Sequence, residues 1–241
     1  MTRSLAVMVF SAALAGCAGL PPELQDVLNS TVQQAAAGGS LSETDIAAGL
    51  KEALATGTTR SISRIGVTDG FWQNPRLKIP LPDTLTQVEK TLRMLGQGGK
   101  VDEFHLSLNR AAEQAVPEAA SIFGNAIRGM TLADARSILQ GAPDAATNYF
   151  RGKTSAVLTA KFAPIVARAT ASVGATRKYK DLAGKVTRLV PGYQLQDIDA
   201  YVTSRALDGL FQTLGDEEMR IRQDPAARTT EILRKVFGNH S

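Results

Sequence analysis

From Ser42 to Gly238 the large aliphatic residues recur three and four positions apart, and no stretch of useful length alternates them with polar residues. That period is the one an α-helix needs to bury a single face, and it argues against a sheet-based fold. Ile46, Leu50 and Leu54, then Ile62 and Ile65, share such a face before Gly66. Leu85, Val88, Leu92 and Leu95 form another, stopped by Gly96, Gly98 and Gly99; Ile122, Phe123, Ala126 and Ile127 follow Pro117, which starts or kinks their segment. Leu158, Phe162, Ile165 and Val166, kinked at Pro164, precede Tyr201, Leu210, Phe211 and Leu214, and Ile232, Leu233 and Val236 close the series. Start signals stand where the pattern asks for them. Ser42–Asp45 and Thr131–Asp134 have capping-box spacing, Thr154 and Asp197 are N-cap residue types, and Asp224-Pro225 suits a first turn. Gly141 closes "LADARSILQ" as a C-terminal glycine.

Residues 66–82, "GVTDGFWQNPRLKIPLP", break the rhythm. Prolines at 75, 80 and 82 forbid a helix and bias the residues before them to extended backbone. Leu77 and Ile79 alternate there, enough for one short strand, and Phe71-Trp72 can pin the segment to the body. The 241 residues allow one large domain or two small ones, and 44% hydrophobic residues supply a sizeable core. The expected architecture is all-α: a single domain of about eight to ten helices over residues 42–238, with one Pro-rich extended loop at 66–82.

The N-terminus reads differently. "MTRSLAVMVFSAALAGC" carries Arg3, an apolar run from Leu5 to Leu14, then small residues, the order of an export signal. The run is roughly half the length a membrane-spanning helix needs. Leu14-Ala15-Gly16-Cys17 resembles the bacterial lipobox, which implies cleavage after residue 16 and acyl chains on Cys17. Several chains anchor a protein stably where one does so marginally. Ala18 after the cysteine, by analogy with lipoprotein sorting, favours the periplasmic face of the outer membrane. Residues 1–16 are thus read as a lipoprotein signal peptide and 17–41 as a lipidated N-terminus with a tether or short helix. Cys17 is the sole cysteine, so no disulfide can form within the chain.

Several chemistries lack their residues. Only His105 and His240 are available to a Ser-His-Asp arrangement, and no Gly-x-Ser-x-Gly elbow occurs. No His-Glu-x-x-His or cysteine pair suggests a metal, and no cofactor is implied. "GQGGK" at 96–100 lacks the first glycine of a phosphate loop and reads as a turn. Aromatics make up 5% of the chain and Trp72 is its single tryptophan, which leaves few stacking platforms for nucleic acid. Loss of Arg3 with the signal lowers the formal charge of +4 by only one, so a nucleic-acid partner is not expected.

Three features remain as candidate sites. In "VDEFHLSLNRAAEQAVPEAASIF", at 101–123, Asp102, His105, Asn109 and Glu113 fall within an arc of about 80°, flanked by apolar residues. Two carboxylates and a histidine can do general acid–base work, which would make this stripe a catalytic site. Alternatively the polar line is a seam that satisfies groups on a neighbouring element, a reading that Ala111, Ala112 and Ala115 favour because small residues permit close packing. The second candidate is the basic segment "GATRKYKDLAGKVTRLV" at 174–190. Its Arg177, Lys178, Lys180, Lys185 and Arg188 can meet anionic head groups or cell-wall polymers, or form a solvated helix face. Phe71 and Trp72 are the third, as partner-docking aromatics or as loop anchors. Asp216–Arg220, Glu218–Arg222 and Glu231–Lys235 are spaced as i,i+4 pairs.

The segments "DGFWQNPRLKIPLP", "SLNRAAEQAVPEAASIFGNAIRGMTLADARSILQG", "ATNYF" and "RALDGLFQTLGDEEMRIRQDPAARTTEILRKVFG" together resemble the domain of unknown function 4197 family of bacterial envelope proteins. The resemblance covers most of residues 42–238 and implies an all-helical domain on an exported chain. It carries no activity and no catalytic residues. The function expected from the residues is that of a lipid-anchored envelope protein binding an envelope protein, lipid or cell-wall component. The alternatives are an envelope hydrolase using the stripe around Glu113, and a carrier of an apolar ligand or lipid.

Overall fold

Helix follows helix along the computed structural model, which describes residues 42–174, 176–180 and 196–223. The named helices are α1 (Glu43–Ile65), α2 (Thr86–Met94), α3 (Gly98–Ala115), α4 (Ala119–Arg128), α5 (Leu132–Gln140), α6 (Ala145–Ser172) and α7 (Ile198–Gln223). Residues 176–180 are helical too, and no strand occurs among the described residues. All of them belong to one compact unit. The signal and tether segments with Cys17, the basic residues Lys185 and Arg188, and the last expected helix with its Glu231–Lys235 pair lie outside the described residues.

α3 runs through the middle because its buried face is small. Ala111, Ala112, Ala115 and Leu108 are wholly buried, which lets α6 and α7 approach closely. α6 and α7 form the most extensive helix pair, and α1 closes the other side against α4, α5 and α7. Phe123 of α4 joins them at the centre, its ring 5.0 Å from that of Phe150 on α6 and 6.2 Å from that of Phe211 on α7. Each such ring contributes about 1.5–3 kcal/mol by leaving water.

Several local signals act as their chemistry predicts. Thr131 and Asp134 form a reciprocal capping box at the start of α5. Asp197 caps α7, its Oδ1 accepting from the N–H groups of Asp199 (2.9 Å) and Ala200 (3.2 Å). Gly96 ends α2 at φ +72°, the left-handed conformation glycine adopts without strain. There Gln97 N–H donates to Leu92 O (2.8 Å) and Gly96 N–H to Arg93 O (3.1 Å), the double bond pattern of a Schellman ending. Pro117 begins a 3-10 turn, Val116–Glu118, between α3 and α4.

Other expectations need correction. Thr154 caps nothing: α6 already begins at Ala145, and the Thr154 hydroxyl donates to Phe150 O within the helix (2.6 Å). The true cap comes from α7, where Glu218 accepts from Ala146 N–H (2.9 Å) and Thr147 N–H (2.8 Å). Gly141 ends α5 in extended, not left-handed, backbone. Asp216 pairs with Arg76 at 2.9 Å in place of Arg220, whereas Glu218 and Arg222 do pair, at 3.0 Å. No strand forms at Leu77–Ile79, because side chains take the backbone groups a neighbouring strand would have used.

Candidate functional site

The polar stripe of α3 faces the Pro-rich loop. Asn109, fully buried, accepts from Ile79 N–H through Oδ1 (2.8 Å) and donates to Ile79 O through Nδ2 (3.1 Å). The same Nδ2 lies 3.0 Å from His105 O, and His105 Nε2 reaches Ile79 O at 2.8 Å, so this ring nitrogen carries the hydrogen. Burial lowers the His105 pKa below the usual histidine value, against the opposing pull of the Ile79 carbonyl. One turn on, Glu113 Oε1 accepts from two consecutive N–H groups, Phe71 (3.0 Å) and Trp72 (3.1 Å). Its Oε2 accepts from Arg110 (2.6 Å), whose other nitrogen donates to Asp69 (2.6 Å) at the left-handed corner of the loop, φ 71°. Three of the four stripe residues therefore meet the loop backbone. Asp102 does not: it is exposed and paired with Arg93 at 2.7 Å, which holds its carboxyl below the usual range.

α7 fixes the same loop from the far side. Tyr201 donates its hydroxyl to Pro80 O (3.0 Å), and Arg76 pairs with Asp216 through both its terminal nitrogens. Phe71 is fully buried against α7, where a Cβ on Gly209 would stand 2.7 Å from its ring. It is a core residue and presents nothing to a partner. Trp72 is half-buried, its ring centroid 5.0 Å from that of His105 in a near-perpendicular pair, with Lys78 Nζ 3.6 Å over its face.

The basic segment separates residue by residue. Lys180 is committed to the fold, bonded to Asp199 (2.7 Å) and to Thr170 Oγ1 (2.9 Å). Arg177 donates to Ala171 O at the C-terminal end of α6 (3.1 Å), where its charge suits the helix dipole. Lys178 is exposed and, among the described residues, makes no ion pair. Thr176 anchors the segment to α3 through the buried hydroxyl of Ser107 (2.9 Å).

Beyond the clamp the loop turns into α2, and an apolar cleft of about 290 Å³ opens there. Leu81, Leu85 and Leu92 line one side, Val101 and Phe104 of α3 the other, with Tyr179 beside Phe104 at 5.6 Å between rings. The polar groups are those of Glu89, Gln97, Lys100 and Lys178, with the Tyr179 hydroxyl bonded to Gln196 O. Glu89 is bonded to Arg93 (3.0 Å), and Lys100, like Lys178, is exposed without an ion pair among the described residues. Leu95 extends the α2 stripe one turn past Leu92 at 69% exposure, and Met94 beside it is 80% exposed.

A family model described as "Protein of unknown function (DUF4197)" matches residues 40–238. The chain belongs to the DUF4197 family. No curated protein and no solved structure matches it. In this DUF4197 chain the described residues contain no group of three or more His, Cys, Asp or Glu able to hold a metal, and no helix among them is long and apolar enough to cross a membrane.

Chemically, the α3 stripe is arranged to bond a backbone. Both Glu113 oxygens and all the polar atoms of Asn109 meet groups of the chain itself, so neither residue presents an unbonded polar atom to a ligand. The cleft offers hydrophobic contact and two cationic groups. The sequence pattern named only Lys178 among its charged residues; Leu85 and Leu92 read as core, and their signal was a stripe reaching Leu95 on a helix too short to cover it.

Proposed function

We propose that this DUF4197 chain is a lipid-anchored protein of the cell envelope that works by binding another envelope component. The observation that carries the reading is a contrast between two places: the polar groups best suited to catalysis are bonded to the loop, while the open, cationic-rimmed surface is apolar. A hydrolase built on Glu113 would need a carboxylate within reach of substrate and water, and Glu113 is 4% exposed. Cys17 would be the acylation site, holding the helical domain at the periplasmic face of the outer membrane. Arg177 and Lys178 remain exposed on that domain for contact with anionic surfaces.

The test is crosslinking in cells expressing the full chain, followed by identification of what co-purifies. Recovery of a defined protein, lipid or glycan supports the reading; failure to enrich any component over a control lipoprotein would sink it. Anchoring is tested separately by feeding an alkyne fatty acid and fractionating the membranes. Label should appear on the wild-type chain in the outer-membrane fraction and vanish in Cys17→Ala.

A further inference from the structure

We propose that the cleft between the end of the Pro-rich loop, α2 and α3 is a binding site for a single-chain anionic amphiphile, its acyl chain on the apolar walls and its carboxylate or phosphate at Lys100 and Lys178. The inference rests on the binding reading above and names the class of ligand.

The walls decide the tail. Leu81, Leu85, Leu92, Val101 and Phe104 supply no hydrogen-bonding group, and the Tyr179 hydroxyl is already donated to Gln196 O at 3.0 Å. A sugar, nucleotide or peptide backbone would lose its water there without replacement partners, whereas a hydrocarbon chain loses nothing. The rim decides the head. Lys100 and Lys178 stand at the edge without carboxylate partners among the described residues, and Glu89 and Asp102 nearby are both bonded to Arg93. Two ammonium groups without an ion pair among the described residues, beside an apolar slot, complement a negative head and disfavour a cationic one. The size decides the number of chains. A volume of about 290 Å³ lies at the lower end of small-molecule sites and suits one chain better than two. Exposed Leu95, one turn on from Leu92, continues the apolar stripe outward, a lip over which a chain can enter.

The clamp gives the site its shape. Leu81 follows Ile79 and Pro80, which are held by Asn109, His105 and Tyr201. The wall it forms is therefore fixed relative to α3 before any ligand arrives, which spares binding the cost of ordering that wall.

The experiment uses the full chain in detergent-free membranes and a fatty acid carrying a diazirine near its methyl end. Photolabelling should saturate and map to peptides spanning residues 81–104 and 178–179. Unlabelled competitors of increasing length should gain roughly two- to fourfold per methylene until the cleft is full. Fatty acids against lysophosphatidic acids separate carboxylate from phosphate heads. The double variant Lys100→Glu/Lys178→Glu, which alters only exposed side chains, should lose at least fivefold in capture of the anionic probe and gain capture of a long-chain amine. Labelling that fails to saturate, that spreads evenly to Val157 and Met219, or that survives the charge reversal would overturn the proposal. If the amphiphile fails while crosslinking in cells still retrieves a defined partner, the ligand class falls and the binding reading stands; if both fail, both fall.

Discussion

Asn109 holds Ile79 by both of its backbone groups, accepting from the N–H at 2.8 Å and donating to the carbonyl at 3.1 Å. One carboxamide thus does for an isolated extended residue what a paired strand does in a sheet. This is how a loop with three prolines lies on a helical body without leaving its polar backbone unmet.

Asn109→Ala removes both partners at once inside a buried site. A loss of about 1–3 kcal/mol is expected, read as a lower urea midpoint with an unchanged slope. Wild-type stability in this variant would mean the loop is held by its apolar contacts alone.

Glu113 and Glu218 repeat one device: each accepts from two consecutive backbone N–H groups and is paired with an arginine on its own helix. Replacing either by Ala leaves the two N–H groups without their acceptor, while Arg110 keeps Asp69 and Arg222 keeps Ile138 O. Ala146 and Thr147 are both buried, whereas Trp72 is only half-buried, so Glu218→Ala should cost more than Glu113→Ala, about 1–3 kcal/mol for each buried N–H left unmet. Urea denaturation of the two variants in parallel ranks them, and the reverse order would count against the desolvation argument.

Burial holds His105 more neutral in the folded chain than in the unfolded one. The unfolded chain then takes up the extra proton near pH 6.5, so stability should fall as pH is lowered through about 6.5 and level off below the folded pKa. Thermal unfolding between pH 7.5 and 5 should show this slope in the wild type and a flatter one in His105→Gln. Asp134 acts in a lower window and with the opposite protonation. The Thr131 N–H lowers its pKa, so its contribution is full above the ordinary carboxylate value and lost as pH falls through the folded one.

The helix starts can be tested by a contrasting pair. Asp197→Ala should cost about 1 kcal/mol, the usual loss at an N-cap. Thr154→Val should change stability by no more than about 0.5 kcal/mol, because that hydroxyl bonds only its own helix. Equal costs would contradict the assignment of α6 from Ala145.

How far the fold could be read from the chain depends on the range of each interaction. Thr131 with Asp134, Asp197, and Gly96 act within a turn of themselves, and their roles follow from spacing. The start of α6 does not, because Glu218 caps it from a helix 72 positions further along the chain. The α3 stripe was visible as a polar line between apolar flanks, but its partners are backbone groups of residues 71, 72 and 79, and backbone groups have no sequence signature. Asp102 shares the stripe's arc yet lies at the start of α3, where it meets Arg93 rather than the loop. The cleft was hidden for a different reason. Leu85 and Leu92 carry the same periodic signal whether a stripe is wholly covered or partly left open.

The pairing of Glu113 with Arg110 and of Glu218 with Arg222 has a consequence for the order of events in folding. Each carboxylate lies three or four residues from its counterion, so the pair assembles as soon as its helix forms, before any distant segment docks. The loop and the first turn of α6 then meet receptors already neutralised and in place. Substitutions on the loop side, such as Phe71→Leu, are accordingly expected to speed unfolding while leaving the refolding rate nearly unchanged, a division that stopped-flow chevrons would reveal.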